Sequence, residues 1–542
     1  MSEPALPPRV VLCTLNAKYI HASLGLRYLL ANMGSLRNCT VLREFTTQRD
    51  VHAVASDLVR LFGPPQGVQL QVLGLGVYIW NVLQTTALVR LLRVLRPGLK
   101  IVLGGPEVSH ETDGQDIVAL ADHVVTGWGD VSFAALCRAL INGPKPLMKV
   151  IAGEQPPLAQ ISLPYHEYDQ NDLAHRTLYV EASRGCPFKC EFCLSSLDKT
   201  AWAFDTDRFL LALEGLFVRG ARRFKFVDRT FNLKIDVSLR ILQFFLDHLP
   251  QPDRAGARPD LFVHFEVIPD HLPQRLKDMI ARFPPGVLQF EIGIQTFNVE
   301  VQQRIARRQD NGQTEQNLRW LAQQSSAHLH TDLIFGLPGE TLQSFARGFD
   351  RLVALRPHEI QLGLLKRLRG TPIQRHSAAF AMVFDELPPY TVRQTADVAA
   401  LDVCRVSRFA RYWDLIANSG RFRRTLALLI DAPSPDTASP DTSTSAFFAF
   451  LHFTDWLWSS VVRTHALSQE QLVDQLYAYL CQRNPAACDA VRSALLDDYL
   501  QSGARARPAV LRGLLAPGAT PVRKHGAALT ARQAAHRAAQ PA

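Results

Sequence analysis

Residues 183–196 read SRGCPFKCEFCLSS and are the most informative segment of this 542-residue chain. They hold Cys186, Cys190 and Cys193 in the spacing Cys-x3-Cys-x2-Cys. Three thiolates on one tight loop can each ligate one iron of a four-iron cluster and leave the fourth iron open, although such a sulfur-rich site also suits zinc. A closed zinc site needs a fourth ligand, usually a nearby Cys or His. Because the next cysteine is Cys404 and no histidine occurs in the 20 residues after Cys193, the spacing favours an open iron–sulfur cluster.

The cysteine segment directly follows the first of six predicted strands that alternate with helices. The apolar runs that predict these strands are Leu178–Ala182, Phe224–Val227, Leu261–Val267, Leu288–Ile294, His328–Phe335 and Glu359–Leu365. Helical periodicity marks the intervening segments Thr206–Arg219, Asp236–Leu249 and Thr341–Leu355. This alternation indicates a partial or full β/α barrel, a fold in which the chemistry is found at the carboxyl ends of the strands.

The first 150 residues show a similar alternation, which predicts a doubly wound, Rossmann-like parallel sheet. Its strands are expected at Arg9–Asn16, Cys39–Thr46, Val68–Ile79, Leu99–Gly104 and His123–Thr126. Its helices are expected at Ser23–Met33, Val51–Phe62, Val82–Leu95, Asp116–Ala121 and Asp130–Ile141. Such sheets bind ligands at the carboxyl ends of their strands, where Gly104, Gly105 and Gly127 would let a flat or phosphorylated ligand approach the backbone.

The periodicity divides the chain into five predicted parts. These are a doubly wound domain at 1–150, a linker at 151–175, a barrel core at 176–385, a helical domain at 386–502 and a flexible basic tail at 503–542. Within the helical domain, Val392–Ser419 and Phe447–Thr464 are expected to be helices. The Pro/Ser/Thr-rich residues 431–445 between them are expected to be a disordered loop.

Composition and charge exclude several classes of protein. Hydrophobic residues make up 47% and charged residues 20% of the chain, which is typical of a globular protein. The sequence has no run of 18 apolar residues, so we expect no membrane association. It has no secretory signal, and its nine cysteines are an odd number, so we expect a cytoplasmic protein without a disulfide framework. The net charge of +9 suggests a nucleic-acid partner, but the tail 503–542 carries +7 of it and no acidic residue. The nearly neutral remainder therefore disfavours nucleic acid.

The cysteine triplet, with Phe192 just before its last cysteine, resembles the radical S-adenosylmethionine (SAM) enzymes. Four later segments extend the resemblance in the order expected for that family. They are FKFVDRTFN (Phe224–Asn232), HFEVIPD (His264–Asp270), EIGIQTFN (Glu291–Asn298) and DLIFGLPGE (Asp332–Glu340). The resemblance implies that one electron from a four-iron cluster cleaves SAM and produces a 5′-deoxyadenosyl radical.

Carried onto this sequence, the resemblance implies a role for individual residues. Cys186, Cys190 and Cys193 would hold the cluster, and the main chain of Phe192 would face the adenine of SAM. The strand-end residues that could contact SAM or substrate are Asp228, Glu266, Gln295, Gly336 and Gly339. The alternatives are that Glu266 simply faces solvent and that the two glycines only form a turn.

The doubly wound domain followed by the cysteine core resembles the cobalamin-binding radical SAM enzymes over residues 8–380. Relatives that ligate cobalt through histidine carry Asp-x-His-x-x-Gly, but here Tyr19 replaces the aspartate and His21 is four residues from Gly25. We therefore expect cobalamin to bind without histidine ligation. The residues expected to cradle it are Asn16, Tyr78, Trp80, Gly104, Gly105 and Gly127, with Tyr78 or Trp80 alternatively a core residue.

The segment LLKRLRGTPI and the helical region after it resemble a subgroup with a C-terminal domain of uncharacterised function. The resemblance implies an enzyme that methylates an unactivated carbon of a small-molecule substrate and draws electrons from an external donor of the flavodoxin or ferredoxin type. The alternatives are a non-methylating cyclisation or rearrangement enzyme, and a non-catalytic cobalamin or iron–sulfur sensor.

Overall fold

The computed structural model describes residues 7–64, 70–249, 260–431, 445–504 and 507–515. The chain divides into two compact units. The first unit comprises Met1–Arg229, Lys366–Pro372 and Asp385–Tyr390, and the second comprises Thr230–Leu365, Ile373–Phe384 and Thr391–Ala542. Within the described ranges, no helix is both long enough and apolar enough to cross a membrane.

A six-stranded parallel sheet forms the amino-terminal part of the first unit. Its strands are β1 (Val10–Asn16), β2 (Thr40–Thr46), β3 (Val72–Gly76), β4 (Lys100–Gly104), β5 (His123–Thr126) and β6 (Val150–Ala152). The connecting helices are α1 (Leu24–Ala31), α2 (Val51–Phe62), α3 (Val82–Leu95), α4 (Asp116–Leu120) and α5 (Ser132–Asn142). The spatial order β2-β1-β3-β4-β5-β6 is that of a doubly wound sheet, and it confirms the predicted fold class.

The strands of this sheet are apolar because both faces of the sheet are covered by helices. All seven residues of β1 and all five of β3 are buried, as is typical of parallel sheets. Leu58 of α2 and Leu88 of α3 belong to the hydrophobic cluster on one face. Leu26 of α1 and Phe133 of α5 belong to the cluster on the other face. The sheet therefore lies between two apolar layers, and its carboxyl edge carries the loops.

Residues 151–175, predicted to be a linker, contain regular structure. Most of β6 lies in this segment and pairs with β5. The helix α6 (Gln170–His175) begins at a capping box formed by Asp169 and Asp172. The first unit then continues through β7 (Leu178–Val180), β8 (Ser183–Arg184), β9 (Trp202–Ala203), α7 (Thr206–Val218) and β10 (Arg223–Phe226). Since β6 and α6 are so short, apolar periodicity did not reveal them.

The second unit contains four parallel strands and their helices. Its elements up to β14 are α8 (Ile235–Asp247), β11 (Phe262–Val267), α9 (Gln274–Ala281), β12 (Leu288–Gln295), α10 (Val299–Arg304), α11 (Asn311–Gln324), β13 (His328–Phe335), α12 (Leu342–Ala354) and β14 (Glu359–Leu364). The strands pair in the order β11-β12-β13-β14, and β7 pairs in parallel with β10 in the first unit. These six strands are the ones predicted from the apolar runs. The division between the units, after Arg229, nevertheless falls inside the predicted core of residues 176–385.

The C-terminal part of the second unit is mostly helical, as predicted. It contains the short strands β15 (Val383–Phe384) and β16 (Val392–Gln394) and the helices α13 (Ala400–Ile416), α14 (Arg423–Ile430), α15 (Ala446–Val461), α16 (Gln469–Arg483) and α17 (Cys488–Ser502). Phe447 of α15 packs against Phe345 and Phe349 of α12 and against Phe409 of α13. The apolar segment 447–458 is therefore a helix that lies in the core of this unit.

Two predictions about the C-terminal region need correction. Residues 392–394, predicted to begin a helix, form β16, because Val392 donates its backbone N–H to Leu365 and the strand pairs with β15. Within the predicted flexible tail, Leu511 is fully buried and the backbone N–H groups of Ala509 and Val510 donate to Asp474. Most of the predicted loop 431–445, residues 432–444, and the tail residues 505–506 and 516–542 lie outside the described residues.

Candidate active site

A cavity of about 470 Å³ opens at the carboxyl edge of the sheet in the first unit. Glycines supply eight of its 27 lining residues, whereas the whole chain has 31 glycines in 542 residues. They come from the ends of three strands, from the start of α1 and from the cysteine loop: Gly25, Gly74, Gly76, Gly104, Gly105, Gly127, Gly129 and Gly185. Because glycine has no side chain, a large ligand can approach the backbone closely along this surface.

Four residues predicted to bind a cofactor line this cavity, namely Tyr78, Gly104, Gly105 and Gly127. Gly105 has φ +108°, and a Cβ there would lie 2.5 Å from the carbonyl oxygen of Val77. The turn after β4 can therefore be made only by glycine. Trp80 is not among the lining residues, but its ring stacks on that of Tyr78 with centroids 4.4 Å apart. Trp80 can thus support Tyr78 without contacting the cavity itself.

Asn16 does not line the cavity; it belongs to a buried ion-pair network. Its amide donates to Glu44 at 2.8 Å, and Glu44 also pairs with Arg27 at 2.9 Å and with Arg176 at 2.6 Å. Asp172 pairs with the same two arginines at 2.6 and 3.0 Å. Burial raises the pKa of Glu44, but the two guanidinium groups outweigh it and hold the pKa below its ordinary value. Asn16 therefore has a structural contact in the folded chain, and its contact with a ligand stays a prediction.

The cysteine loop is closed at its base by the two-stranded ribbon of β8 and β9. Ser183 pairs with Ala203 and Arg184 with Trp202, and Cys186 donates its N–H to the carbonyl of Asp198 at 2.8 Å. Gly185 has φ +83°, and a Cβ on it would lie 2.6 Å from the Thr200 hydroxyl oxygen. Residues at both ends of the loop line the cavity: Ser183, Arg184, Gly185, Ser195 and Asp198. The loop and the glycine-rich strand ends therefore face one common space.

The three thiols of the loop lie near one another. Cys186 and Cys190 are buried, and Cys193 is partly exposed. Burial raises the pKa of Cys186, and the neighbouring Cys193 and Cys190 raise it further. In the described part of the chain, no three His, Cys, Asp or Glu side chains converge on one metal ion. In a four-iron cluster each cysteine binds a different iron, so the thiols need no common centre.

Arg184 is the residue of this site that the sequence analysis did not identify. Its two Nη atoms bind the carboxylate of Asp130 at 2.7 and 3.0 Å, and its Nε donates to Glu181 at 2.7 Å. The rings within 6 Å of its guanidinium are those of Tyr28, Trp128 and Phe204. A second bond, from the Trp128 indole N–H to Asp198 at 2.7 Å, joins the β5 end to the cysteine loop. Two short sequence patterns could have indicated the ion pair of Arg184 with Asp130. They are Arg-Gly-Cys at residues 184–186 and Gly-Trp-Gly-Asp at residues 127–130.

Asp228 holds the chain that leads into the cysteine loop. Its carboxylate accepts a hydrogen bond from the Ala182 N–H at 2.9 Å and another from the Ser183 hydroxyl at 2.6 Å. Burial raises the pKa of Asp228 to about 7 in spite of these bonds. Its chain neighbours Val227 and Arg229 line the cavity, whereas Asp228 does not. Phe192 is half-buried and is also absent from the cavity lining.

The other predicted SAM contacts belong to the second unit. Glu266, half-buried, aligns with Glu291 across β11 and β12. Gln295 ends β12 at φ +69°, next to a break in the register with β13. Such a left-handed conformation is strained for a residue with a side chain and is often found at functional sites. Gly336 and Gly339 have φ +88° and +80°, conformations that favour glycine, and a Cβ on Gly336 would also lie 2.6 Å from Val392.

A row of histidines and carboxylates crosses the strands of the second unit. His330 lies 3.2 Å from Asp332 and 3.5 Å from Glu359, and His328 lies 2.8 Å from Glu359. His264 lies 3.0 Å from Glu291. Burial lowers the pKa of His330, but hydrogen bonds and attraction from Asp332 and Glu359 outweigh it and raise the pKa to about 10. His330 is therefore a cation at neutral pH.

The raised pKa of His330 predicts how the stability of the second unit depends on pH. The ion pairs of His330 contribute fully below its ordinary pKa of about 6.5 and are lost as the pH rises through about 10. We expect the wild type to lose more unfolding free energy between pH 7 and pH 10.5 than His330→Gln, as measured by urea unfolding. His376→Gln, a change outside the row, should follow the wild type. Parallel curves for the wild type and His330→Gln would contradict the assignment.

Comparisons with known proteins identify related families for two parts of the chain. Residues 180–352 match the radical SAM superfamily, and residues 378–520 match a family described as a protein of unknown function, DUF4080. An uncharacterised methyltransferase of Pyrococcus horikoshii, PH0819, is 32% identical over 177 residues, which are 27% of this chain and 38% of the relative. The cobalamin-dependent radical SAM methyltransferase TokK of Streptomyces tokunonensis is 23% identical over 366 residues, covering 60% of this chain and 53% of TokK.

The fold is similar to that of a solved structure as well. The cobalamin-dependent S-adenosylmethionine radical enzyme OxsB superposes with a TM-score of 0.57 at 13% identity, over 91% of this chain and 83% of OxsB. At that identity the likeness concerns the fold alone. This chain spans 38% and 53% of the lengths of the two curated relatives. Taken with the cysteine loop, the matches show that the chain contains a radical SAM domain at residues 180–352 and a DUF4080 domain at residues 378–520.

Proposed function

We propose that this protein is a cobalamin-dependent radical SAM enzyme that methylates an unactivated carbon of a small-molecule substrate. The observation that carries the proposal is one cavity in the first unit, which both parts of the candidate site line. Gly104, Gly105 and Gly127 line it from the doubly wound sheet, and Arg184 and Gly185 line it from the cysteine loop. A cofactor bound at the glycines of the sheet and one bound at the cysteine loop would therefore face each other across this cavity. The methyltransferases among the relatives support methyl transfer as the reaction.

We propose Cys186, Cys190 and Cys193 as the ligands of a four-iron cluster. The donor set fits, since three thiols lie on one loop and the next cysteine in the chain is Cys404. When bound, such a cluster supplies the electron that cleaves SAM to a 5′-deoxyadenosyl radical. The protein's own contribution is to hold the loop: Ser196 donates its hydroxyl to the carbonyls of Cys190 and Cys193 at 2.9 and 2.7 Å.

We propose that cobalamin lies against the glycine-rich strand ends beside Tyr78. The fit rests on the open surface at Gly127, where a Cβ would have no atom within 4 Å, whereas Gly105 is required by the turn itself because a Cβ there would meet the Val77 backbone. Binding without a histidine ligand is supported by the position of His21. Its Nδ1 lies 2.8 Å from the Tyr179 hydroxyl, and His21 is not among the residues that line the cavity.

We also propose that Glu266 and Gln295 contact SAM or substrate, with Phe192 offering its main chain to the adenine. The strained backbone of Gln295 supports this role. For Asp228 the hydrogen bonds to Ala182 and Ser183 favour positioning of the cysteine loop instead. For Gly336 and Gly339 we propose a tight turn close to the ligand, since their positive φ angles favour glycine.

The experiment that tests the proposed function is anaerobic reconstitution with iron, sulfide, hydroxocobalamin, SAM and a low-potential reductant. We expect the wild type to form 5′-deoxyadenosine, and also S-adenosylhomocysteine, which remains when SAM gives up its methyl group. Cys190→Ala should lower 5′-deoxyadenosine formation at least about 100-fold, because removal of a group on which catalysis depends costs factors of this order or more. Liquid chromatography with mass spectrometry measures both products.

The matched control for this experiment is Cys39→Ala, since Cys39 belongs to the first unit but lies outside the cysteine loop. It should behave as the wild type does. Full 5′-deoxyadenosine formation by Cys190→Ala would overturn the cluster assignment. 5′-Deoxyadenosine without cobalamin-dependent S-adenosylhomocysteine would instead favour a cyclisation or rearrangement enzyme. Tight cofactor binding with neither product would favour a sensor.

The remaining partners are proposals of the same kind. A radical SAM reaction consumes electrons one at a time, so we propose an external donor of the flavodoxin or ferredoxin type in the cytoplasm. We propose a small molecule as substrate and no nucleic-acid partner, since residues 1–502 carry a net charge of only +2.

A further inference from the structure

Two short segments from later in the chain, Lys366–Pro372 and Asp385–Tyr390, belong to the first unit. We call them together the strap. The strap contacts the turn that follows β4, which begins with Gly104 and Gly105 and continues to Glu111. Gly104 and Gly105 line the cavity, while the residues of the turn beyond them do not. The strap therefore acts on the cavity only through this turn.

Glu107 is the centre of the contact between the strap and the turn. It is only 4% exposed, so its carboxylate needs partners. The carboxylate accepts one hydrogen bond from Arg369 Nε at 2.9 Å and one from the Tyr390 hydroxyl. Arg369 also donates to the Tyr390 oxygen at 3.0 Å, and its guanidinium lies over the Tyr390 ring. The three side chains thus form a closed triangle of hydrogen bonds.

The Tyr390 hydroxyl keeps its proton over a wide pH range. Burial and the neighbouring Glu107 raise the pKa of Tyr390 to about 12. Tyr390 therefore stays a hydrogen-bond donor at every pH at which the protein would be assayed.

Further along the turn, a second contact fixes its orientation. Glu111 accepts the Gly370 backbone N–H at 3.0 Å and lies 3.3 Å from Arg367. Gly370 has φ +79°, and a Cβ on it would lie 2.4 Å from the His110 ring. The strap therefore packs closely on the turn at two points, four residues apart, and limits rotation of the turn between them.

We propose that Arg369 and Tyr390 are positioning residues that hold Glu107, and through it Gly104 and Gly105, in the shape that the cofactor needs. This rests on the proposed function, in which that surface cradles cobalamin. The two glycines cannot hold the shape alone, because glycine is the least restricted residue. Their backbone is tied to β3 by the Val77 N–H, which donates to Gly104 at 2.8 Å, and the strap fixes the other end of the turn.

The test compares Arg369→Met and Tyr390→Phe with the wild type in the full-length, cluster-loaded protein. We expect hydroxocobalamin to bind each variant about 10- to 100-fold more weakly, the usual cost of removing a group that orients a binding residue. Equilibrium dialysis gives the affinity, and visible circular dichroism of the bound cobalamin reports its environment. Arg369→Lys should recover part of the affinity, because it keeps a charge beside Glu107 but loses the second donor.

The matched control is Arg90→Met, which removes an ion pair with Asp116 on the surface of the same unit. It should bind cobalamin as the wild type does. Hydrogen–deuterium exchange of residues 104–111 without cobalamin should rise in Arg369→Met and Tyr390→Phe but not in the control. Unchanged exchange, or unchanged affinity in both variants, would overturn the proposal. If neither the wild type nor any variant binds cobalamin, but hydrogen exchange rises in the two variants as expected, then Arg369 and Tyr390 position the turn and cobalamin is not its ligand.

Discussion

Replacing Arg184 by methionine should destabilise the first unit by about 3–5 kcal/mol, the usual cost of removing one partner from a buried ion pair. Methionine keeps the apolar stem between the rings of Tyr28 and Trp128 but leaves two carboxylates, Asp130 and Glu181, without their cation. Burial already raises the pKa of Glu181 while Arg184 is present. Since Arg184 lies two residues before Cys186, the same change should also loosen the cysteine loop.

Urea unfolding and the iron content after anaerobic reconstitution measure the two effects of Arg184→Met separately. Arg49→Met, which removes a more exposed pair with Asp57, should cost less than about 1 kcal/mol and leave the iron content unchanged. Arg184→Lys should fall between the wild type and Arg184→Met, since lysine cannot bind both oxygens of Asp130 at once. A full complement of iron in a destabilised Arg184→Met would show that Arg184 supports the fold but not the loop.

Glu44→Gln should have a comparable effect on the first unit, again about 3–5 kcal/mol. The network of Arg27, Glu44, Asp172 and Arg176 is electrically neutral, and no side chain in it is more than 7% exposed. Glutamine fills the same space but leaves a net positive charge in the interior. The pKa of Glu44 lies below its ordinary value, so its contribution is present above about pH 4.3 and is lost as the pH falls.

Urea unfolding at pH 7 and at pH 4, with hydrogen exchange of β1 and β2, measures this prediction. Glu44→Gln should be much less stable than the wild type at pH 7, and the difference should shrink at pH 4. The control Asp57→Asn removes a partly exposed carboxylate of the same unit and should cost less than about 1 kcal/mol. An equal loss in the two variants would mean that the buried network contributes no more than a surface pair.

How much of the fold could be predicted from the sequence depended on the length of each element. The bounds of α2, α3 and β13 agree with their predicted limits, because each has many apolar residues in a regular period. The strands β6, β8, β9 and β16 have two or three residues each, too few for a period. They exist because another segment of the chain pairs with each of them. The same holds for the division between the two units, which depends on contacts such as that of Glu107 with Arg369, 262 residues away.

The candidate site could be predicted from the sequence where its residues lie on one loop. Cys186, Cys190 and Cys193 are neighbours in the sequence, and glycines at strand ends mark close approach to a ligand. Arg184 was missed because its partners, Asp130 among them, come from another part of the chain. Asn16 ends the apolar strand β1, as a ligand-binding residue would, and its hydrogen bond to Glu44 could not be predicted because only the folded chain brings the two together.

The strap has a consequence for how the protein is made. The first unit begins at the amino terminus, but it is complete only when Tyr390 has joined it. At roughly 5–20 residues per second, a ribosome needs about ten to thirty seconds to proceed from residue 229 to residue 390. Until Arg369 and then Tyr390 have been made, Glu107 lacks these two partners. The turn that carries Gly104 and Gly105 is therefore completed late in synthesis, after most of the second unit's strands have been made.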